Sequence, residues 1–135
     1  MSETNVAIVL VTHAPLGGAL KSVVEHVYGE APNLTVMDVR AGQCAEDSTD
    51  GLLERMRALD GGQGVLLLTD LPGASPANIC KKACDLAREA GMSCDVVSGV
   101  NPAMVLRAIN HCSNGLSKAT IAALEGAAQT IKRVD

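Results

Sequence analysis

Residues 6–13 read VAIVLVTH, a continuous run of apolar, mostly β-branched side chains that stops at a polar Thr-His pair. Unbroken rather than alternating hydrophobicity is typical of a strand buried on both faces of a parallel sheet. Residues 65–70, VLLLTD, repeat this pattern and end on Asp70. Two weaker strand candidates occupy residues 34–39 and 94–98. The sequence therefore predicts about four strands, two of which lead into a polar side chain.

Apolar residues at helical spacing fill the intervals between these strands and predict five helices with buried apolar faces. The first face is formed by Leu16, Leu20, Val23, Val24 and Val27, and the last by Ile121, Leu124, Ala128 and Ile131. Strand and helix alternate about four times, which predicts an α/β fold with an open, mainly parallel sheet and helices on both faces. Residues 1–135 contain no repeat, low-complexity tract or linker, so we expect a single domain.

The composition limits the classes to which the protein can belong. Of 135 residues, 47% are hydrophobic and only 1% are aromatic, and the net charge is −4. Nucleic-acid binding is disfavoured, because base stacking needs aromatic faces and phosphate tracking needs an excess of positive charge. No apolar run is as long as a membrane span, and the N-terminus does not resemble a signal peptide. We expect a cytoplasmic protein without direct membrane insertion.

Five cysteines form an odd set without a disulfide-scaffold spacing, which is typical of thiols kept reduced in a cytoplasm. Cys80 and Cys84 lie four residues apart on a predicted helix, and His111 and Cys112 follow later. A zinc site built from these residues is an alternative, but such cysteines usually serve as small buried apolar side chains. We therefore predict neither a metal site nor a cofactor.

His13 and Asp70 lie at the carboxyl ends of the first and third predicted strands. In open α/β sheets the ligand site lies beyond the carboxyl ends of the strands, where neighbouring connections diverge to opposite faces. A flavodoxin-like strand order places these two strands side by side, so both residues would face one crevice. An imidazole accepts and releases a phosphoryl group reversibly, and a carboxylate can hold its second ring nitrogen in the required tautomer. The pair predicts a phosphoryl-carrying His13 oriented by Asp70.

Residues 73–76, Gly-Ala-Ser-Pro, would supply hydrogen-bond donors to the phosphoryl oxygens. Ser75 is predicted to be the N-cap of the following helix and Pro76 its first residue. The hydroxyl of Ser75 and the backbone around Gly73 and Ala74 would then bind the anion, assisted by the positive helix end. Taken singly, Asp70 and Ser75 also have a structural interpretation, as a turn former and a helix cap.

Four stretches of the sequence also match the motifs of a known family. The chain resembles the enzyme IIA domain of the mannose/fructose/sorbose family of the bacterial phosphoenolpyruvate-dependent sugar phosphotransferase system. The resemblance runs along nearly the whole chain and is carried by residues 7–13, 64–70, 73–78 and 98–104. Its most specific part is the block Asp…Gly-x-Ser-Pro-x-Asn that begins at Asp70, with a later Gly-Val-Asn-x-x-Met.

The resemblance implies a role for each site residue and a set of partners. His13 would be the phosphorylated histidine, Asp70 its orienting carboxylate and Ser75 a hydroxyl that contacts the phosphoryl group. The donor would be the phosphorylated histidine-containing phosphocarrier protein, and the acceptor a histidine on a IIB domain, which phosphorylates the incoming sugar. Such domains are typically homodimers. No IIB domain or Ala/Pro-rich linker follows Asp135, so we expect either a separate IIB chain or an incomplete, regulatory phosphorelay.

The sequence departs from the family at the rim of the predicted pocket. Leu71 and Pro72 follow Asp70, where relatives often carry polar or aromatic residues and a glycine. Two other functions remain open at this point. The phosphocarrier subunit of a dihydroxyacetone kinase has a similar fold and an early histidine. A non-enzymatic nucleotide or metabolite sensor could use the same crevice, although no Gly-x-Gly-x-x-Gly or Walker sequence supports it.

Overall fold

Strand and helix alternate along residues 5–135, the part of the chain that the computed structural model describes. The strands are β1 (Ala7–His13), β2 (Leu34–Val39), β3 (Val65–Thr69) and β4 (Cys94–Val97). The helices are α1 (Leu16–Tyr28), α2 (Ala45–Leu59), α3 (Ser75–Glu89), α4 (Pro102–Asn110) and α5 (Leu116–Thr130), with a short 3-10 turn at Cys112–Asn114. Residues 1–4 lie outside the described residues. The prediction that the N-terminus does not resemble a signal peptide rests on them, as does part of the prediction of a single domain.

All four strands are parallel and follow the order β2-β1-β3-β4. This confirms the predicted α/β fold and its flavodoxin-like order, with β1 beside β3. The connections that leave these two strands diverge, because α1 packs on one face of the sheet and α3 on the other. The crevice for a ligand is therefore expected between the carboxyl ends of β1 and β3.

Helices bury the sheet on both faces. On one face α1, α4 and α5 cover a cluster whose largest members include Ile8, Leu10, Leu66, Leu68 and Met104. On the other face α2 and α3 cover a cluster that includes Val9, Val11, Leu52, Met56 and Leu67. Successive residues of β1 alternate between the two faces, which explains why the whole strand is apolar.

The predicted apolar face of α5 is wrong. The buried residues of this helix are Ala119, Ala122, Ala123 and Gly126. A Cβ on Gly126 would lie 2.6 Å from Cγ of Arg107 and 3.2 Å from the carbonyl oxygen of Ala103, so α5 lies too close to α4 for large side chains. Ile121 and Leu124 instead point outward and are 51% and 52% exposed. Close helix packing selects small residues for the inner face, whatever the hydrophobicity of the larger ones.

The predicted apolar face of α1 is only partly buried. Leu20 and Val24 belong to the core, whereas Leu16, Val23 and Val27 are exposed. The helix packs against β1, β2 and α4. Its apolar arc is wider than the arc that these contacts cover, which leaves apolar side chains facing outward.

None of the five cysteines forms a disulfide within the described part of the chain; Cys44 is exposed and the other four are buried. Burial raises the pKa of the Cys80 thiol to about 12. A thiol that stays protonated is a poor nucleophile and a poor metal ligand. Among residues 5–135, no group of three or more His, Cys, Asp or Glu side chains is arranged to hold a metal ion.

Gly64→Ala should destabilise the fold through a clash with backbone. Gly64 has a φ of +95°, and a Cβ there would lie 2.8 Å from the carbonyl oxygen of Ser93, which accepts a hydrogen bond from Val65 in the β3–β4 pairing. We expect the free energy of unfolding, measured by urea denaturation, to fall by about 2–4 kcal/mol. Gly62→Ala is the control, since its φ is also positive but nothing lies within 4 Å of its Cβ position. Equal losses in the two variants would contradict this account.

Candidate functional site

The pairing of β1 with β3 brings His13 and Asp70 together at the carboxyl edge of the sheet. His13 is the last residue of β1, and Asp70 follows β3 directly. Nδ1 of His13 lies 2.8 Å from Oδ2 of Asp70, and the backbone N–H of His13 donates to the same oxygen at 3.0 Å. Oδ1 of Asp70 accepts the backbone N–H of Leu71 at 2.9 Å. Both the ring and the backbone of His13 are therefore held by one carboxylate.

The surroundings of Asp70 keep its carboxyl group ionised. Partial burial raises the pKa of this carboxyl, but the hydrogen bonds from the His13 ring, the His13 amide and the Leu71 amide outweigh burial and, with coulombic attraction to His13, lower the pKa below its ordinary 3.8. An ionised carboxylate only accepts hydrogen bonds, so Nδ1 of His13 must carry the proton that it donates. In the neutral imidazole, Nε2 then holds the free lone pair. The His13 side chain is 48% exposed and that of Asp70 11%, so the ring rather than the carboxylate is accessible to a partner.

Asp70 should stabilise the native state at neutral pH and cease to do so in acid. Because the carboxyl pKa is below 3.8 in the folded chain, the unfolded state binds more protons and the free energy of unfolding rises with pH through this range. We expect Asp70→Asn to be less stable than wild type by about 1 kcal/mol above pH ~5. Urea denaturation at a series of pH values should show this difference vanishing as the pH falls through the folded-state pKa. A difference that does not change with pH would contradict the assignment.

The loop between β3 and α3 carries the other predicted site residues. Gly73 and Ala74 lie in this loop, and Ser75 is the first residue of α3. The prediction that Ser75 caps α3 is wrong, because Ala74 occupies the N-cap position with extended backbone angles and no side chain caps the helix. Pro76 is therefore the second helical residue. The N–H groups of the first four residues have no partner within the helix, so a proline at this position costs no hydrogen bond. The N–H of Ala74 donates to the carbonyl oxygen of Leu71 at 3.3 Å, so this amide is already engaged.

Asn78 is a residue of this region to which the sequence analysis assigned no role, although it belongs to the Gly-x-Ser-Pro-x-Asn motif. Its Nδ2 donates to the carbonyl oxygen of Gly73 at 3.3 Å and braces the loop. Ser75 and Asn78 also line a cleft of about 360 Å³ between α2 and α3. Its other lining residues are Ala45, Glu46, Thr49, Ile79 and Lys82. Neither His13 nor Asp70 lines this cleft.

The loop between β4 and α4 contacts Asp70 from the next strand. The N–H of Gly99 donates to the carbonyl oxygen of Asp70 at 2.8 Å. Asn101 is the N-cap of α4, with its Oδ1 accepting the N–H of Met104 at 3.2 Å. The Gly-Val-Asn motif singled out this loop in the sequence. The contact of the loop with Asp70 depends on the tertiary fold and could not be predicted from the motif.

Two helix N-termini lie at the same edge of the sheet as His13. α1 begins at Leu16, shortly after His13, and α3 begins at Ser75, shortly after Asp70. Neither of these described helices has an acidic residue in its first turn. No residue of either first turn therefore offsets the partial positive charge of these helix ends, although Oδ1 of Asp38 would lie 3.7 Å from a Cβ on Gly17 in the first turn of α1. A nucleophilic ring nitrogen beside such a site is chemically suited to accept an anionic group.

The fold and the site together define an open α/β protein whose switch point carries a histidine held by an aspartate. Residues 7–125 match the family model described as the PTS system fructose IIA component. The chain belongs to this family, and it is therefore an EIIA component of the bacterial sugar phosphotransferase system. Within the described residues, no helix has the length and apolar character needed to span a membrane.

Individual relatives agree with this assignment. The chain is 31% identical over 109 residues to the sorbose-specific EIIA component of the PTS from Lacticaseibacillus casei, covering 79% of this chain and 74% of that one. The PTS component EIIA from Streptococcus agalactiae superposes with a TM-score of 0.82 at 21% identity, covering 95% and 96% of the two chains. The mannose/sorbose-specific IIA subunit from Enterococcus faecalis superposes with a TM-score of 0.83 at 17% identity, covering 97% of this chain and 96% of that one. At these identities the solved structures establish the shared fold alone.

Proposed function

We propose that this chain is a phosphohistidine carrier, and hence a phosphotransferase component, that holds a phosphoryl group on Nε2 of His13. The donor is the phosphorylated histidine-containing phosphocarrier protein, and the acceptor is a separate IIB component or a regulatory target. The contact of 2.8 Å between Nδ1 of His13 and Asp70 carries the proposal, because it leaves Nε2 unprotonated and accessible. Membership of the IIA family supports it, since the chain then acts within a phosphotransferase system.

The transfer step follows from this geometry. The Nε2 lone pair attacks phosphorus, and the N–P bond to the donor histidine breaks with its electron pair returning to the donor ring. The Nδ1 proton stays in its hydrogen bond to Asp70. The positive charge that develops on the His13 ring lies beside a carboxylate, which stabilises it. Passing the group to the acceptor is the same step in reverse, so neither a metal nor a cofactor is needed for positioning.

The phosphoryl oxygens are proposed to bind at the start of α3. The Ser75 hydroxyl and the amides around Gly73 and Ala74 can donate to an anion at this edge, where α3 begins. Asn78 supports them by holding the carbonyl oxygen of Gly73. The amide of Ala74 would have to share its proton with Leu71, so it contributes less than its neighbours.

The assembly and location of the chain are part of the same proposal. We propose one domain over residues 1–135, working in the cytoplasm as a homodimer. Outward apolar side chains support a dimer, since Ile121 and Leu124 are half exposed and Ile131 and Val134 are 77% and 98% exposed. Burying such side chains against a second copy would be favourable.

Reconstituting the relay tests the proposal. The chain would be incubated with phosphoenolpyruvate, enzyme I and the phosphocarrier protein, and its intact mass read at alkaline pH. We expect one acid-labile phosphoryl group per chain, lost again when a cognate IIB component is added. If the folded chain gains no adduct from donors that phosphorylate another IIA component, the proposal fails. A metabolite-binding role would then be the one to pursue, through ligand retained by the purified protein.

A further inference from the structure

The loop at residues 98–101 fixes the backbone of Asp70. The N–H of Gly99 donates to the carbonyl oxygen of Asp70 at 2.8 Å, and the N–H of Val100 donates to that of Thr69 at 3.0 Å. Both bonds lie beyond the regular pairing of β3 with β4. Their order is opposite to that of a parallel ladder, because Val100 follows Gly99 in the chain but donates to Thr69, which precedes Asp70. The chain therefore turns back at Gly99 and makes two backbone hydrogen bonds to the end of β3.

This turn depends on the backbone conformation of Gly99. Its φ is +81°, a left-handed value that β-branched residues rarely adopt. Nothing lies within 4 Å of the position a Cβ would take, so conformation rather than lack of space calls for glycine. The far side of the turn is held by Asn101, which caps α4 and whose Nδ2 donates to the carbonyl oxygen of Gly99 at 3.4 Å.

Asp70 thus joins two sets of hydrogen bonds. Its carbonyl oxygen is held by Gly99, and its carboxylate holds His13 through bonds of 2.8 Å and 3.0 Å. A displacement of the Asp70 backbone would move the carboxylate away from Nδ1, and the ring would lose both its orientation and its tautomer. Small misplacements of reacting groups are costly to transfer rates.

We propose that Gly99 is a positioning residue for phosphoryl transfer, acting through Asp70 on the His13 ring without touching the reacting group. This inference rests on the proposed phosphoryl transfer at His13. It assigns the Gly-Val-Asn motif a function in the site, in addition to starting α4. The loop at residues 98–101 thus fixes the position of the Asp70 carboxylate.

Gly99→Val and Gly91→Val form a matched pair for testing the positioning role of Gly99. Gly91 follows α3 at the opposite edge of the sheet, has a φ of +88° and also has nothing within 4 Å of its Cβ position. Both substitutions impose similar backbone strain, so loss of stability alone would affect both alike. The first readout is the tautomer of His13 from its ring ¹⁵N resonances. The second is the single-turnover rate of phosphoryl acceptance, with the donor concentration varied to separate kcat from KM.

For Gly99→Val we expect a mixture of His13 tautomers and a rate at saturating donor that is lower by about tenfold, with little change in KM. Gly91→Val should keep the Nδ1–H tautomer and the wild-type rate. Gly99→Asn should recover most of the rate, because Asn tolerates a left-handed φ. A wild-type tautomer and rate in folded Gly99→Val would overturn the proposal, as would equal defects in both valine variants.

The outcomes also separate this inference from the proposed function. If Gly99→Val does not fold, Gly99→Ala and Gly91→Ala give the same comparison at lower strain. If wild type accepts no phosphoryl group but the tautomer contrast is still present, the proposed function fails and the positioning of the ring by Gly99 stands. If wild type is phosphorylated and the contrast is absent, the positioning role alone is refuted.

Discussion

The His13→Ala protein should remain folded and accept no phosphoryl group from the phosphocarrier protein. Nε2 of His13 is the proposed nucleophile, and the variant has no ring nitrogen at this position to attack phosphorus. The His13 side chain is 48% exposed, so its removal opens no cavity in the core. We expect the free energy of unfolding to change by no more than about 1 kcal/mol. Intact mass after reaction at alkaline pH measures acceptance, and urea denaturation measures folding.

The chain offers two matched histidine controls. His26 is exposed in α1, and His111 follows α4, where its Nδ1 lies 3.2 Å from Nδ2 of Asn114. Within the described residues, neither histidine hydrogen-bonds to Asp70, so His26→Ala and His111→Ala should be phosphorylated to the same extent as wild type. Normal phosphorylation of His13→Ala, or loss of phosphorylation in either control, would place the phosphoryl group elsewhere.

Asp70→Ala should slow phosphoryl acceptance by about 100-fold while leaving some residual activity. Without the carboxylate, the Nδ1 proton and the backbone N–H of His13 lose their shared acceptor. The ring can then rotate and adopt the other tautomer, and the positive charge of the phosphorylated ring is no longer balanced. Because these effects act on the transfer step, kcat should fall far more than KM changes. Rapid-quench single-turnover experiments at several donor concentrations measure both.

Asp38→Ala is the control for the loss of a negative charge at the same edge of the sheet. Asp38 lies on β2 opposite Thr12, one strand away from the site, and makes no hydrogen bond to His13 in the described structure. If general electrostatics explained the effect of Asp70, Asp38→Ala would slow transfer to a similar degree. We expect its rate to stay within about threefold of wild type, since Asp38, whose side chain is 29% exposed, makes no hydrogen bond that orients the His13 ring. An Asp70→Ala rate equal to that of wild type would remove Asp70 from the mechanism.

The sheet could be predicted because its sequence signal is local and strong. An unbroken apolar run of strand length that ends in a polar residue occurs at β1 and again at β3. Parallel topology then requires both ends to lie at one edge, and the strand order puts them side by side. The proximity of His13 to Asp70 follows from this topology and needs no knowledge of loop structure.

Loop geometry and helix packing could not be predicted in the same way. Ser75 precedes a proline, a common signal for an N-cap, yet the helix begins one residue earlier. In α5, hydrophobicity indicated Ile121 and Leu124 as the inner face, but close approach to α4 required small residues there. The contact of Gly99 with Asp70 joins two loops that are distant in sequence. Each of these features is set by tertiary contacts rather than by local pattern.

The most direct test of the account is to locate the phosphoryl group on the phosphorylated protein by ¹⁵N and ³¹P NMR. The hydrogen bond between Nδ1 of His13 and Asp70 predicts a single phosphohistidine, with phosphorus on Nε2 of His13 and the proton retained on Nδ1. Phosphorus on Nδ1 of His13, or on any other residue, would contradict the central claim.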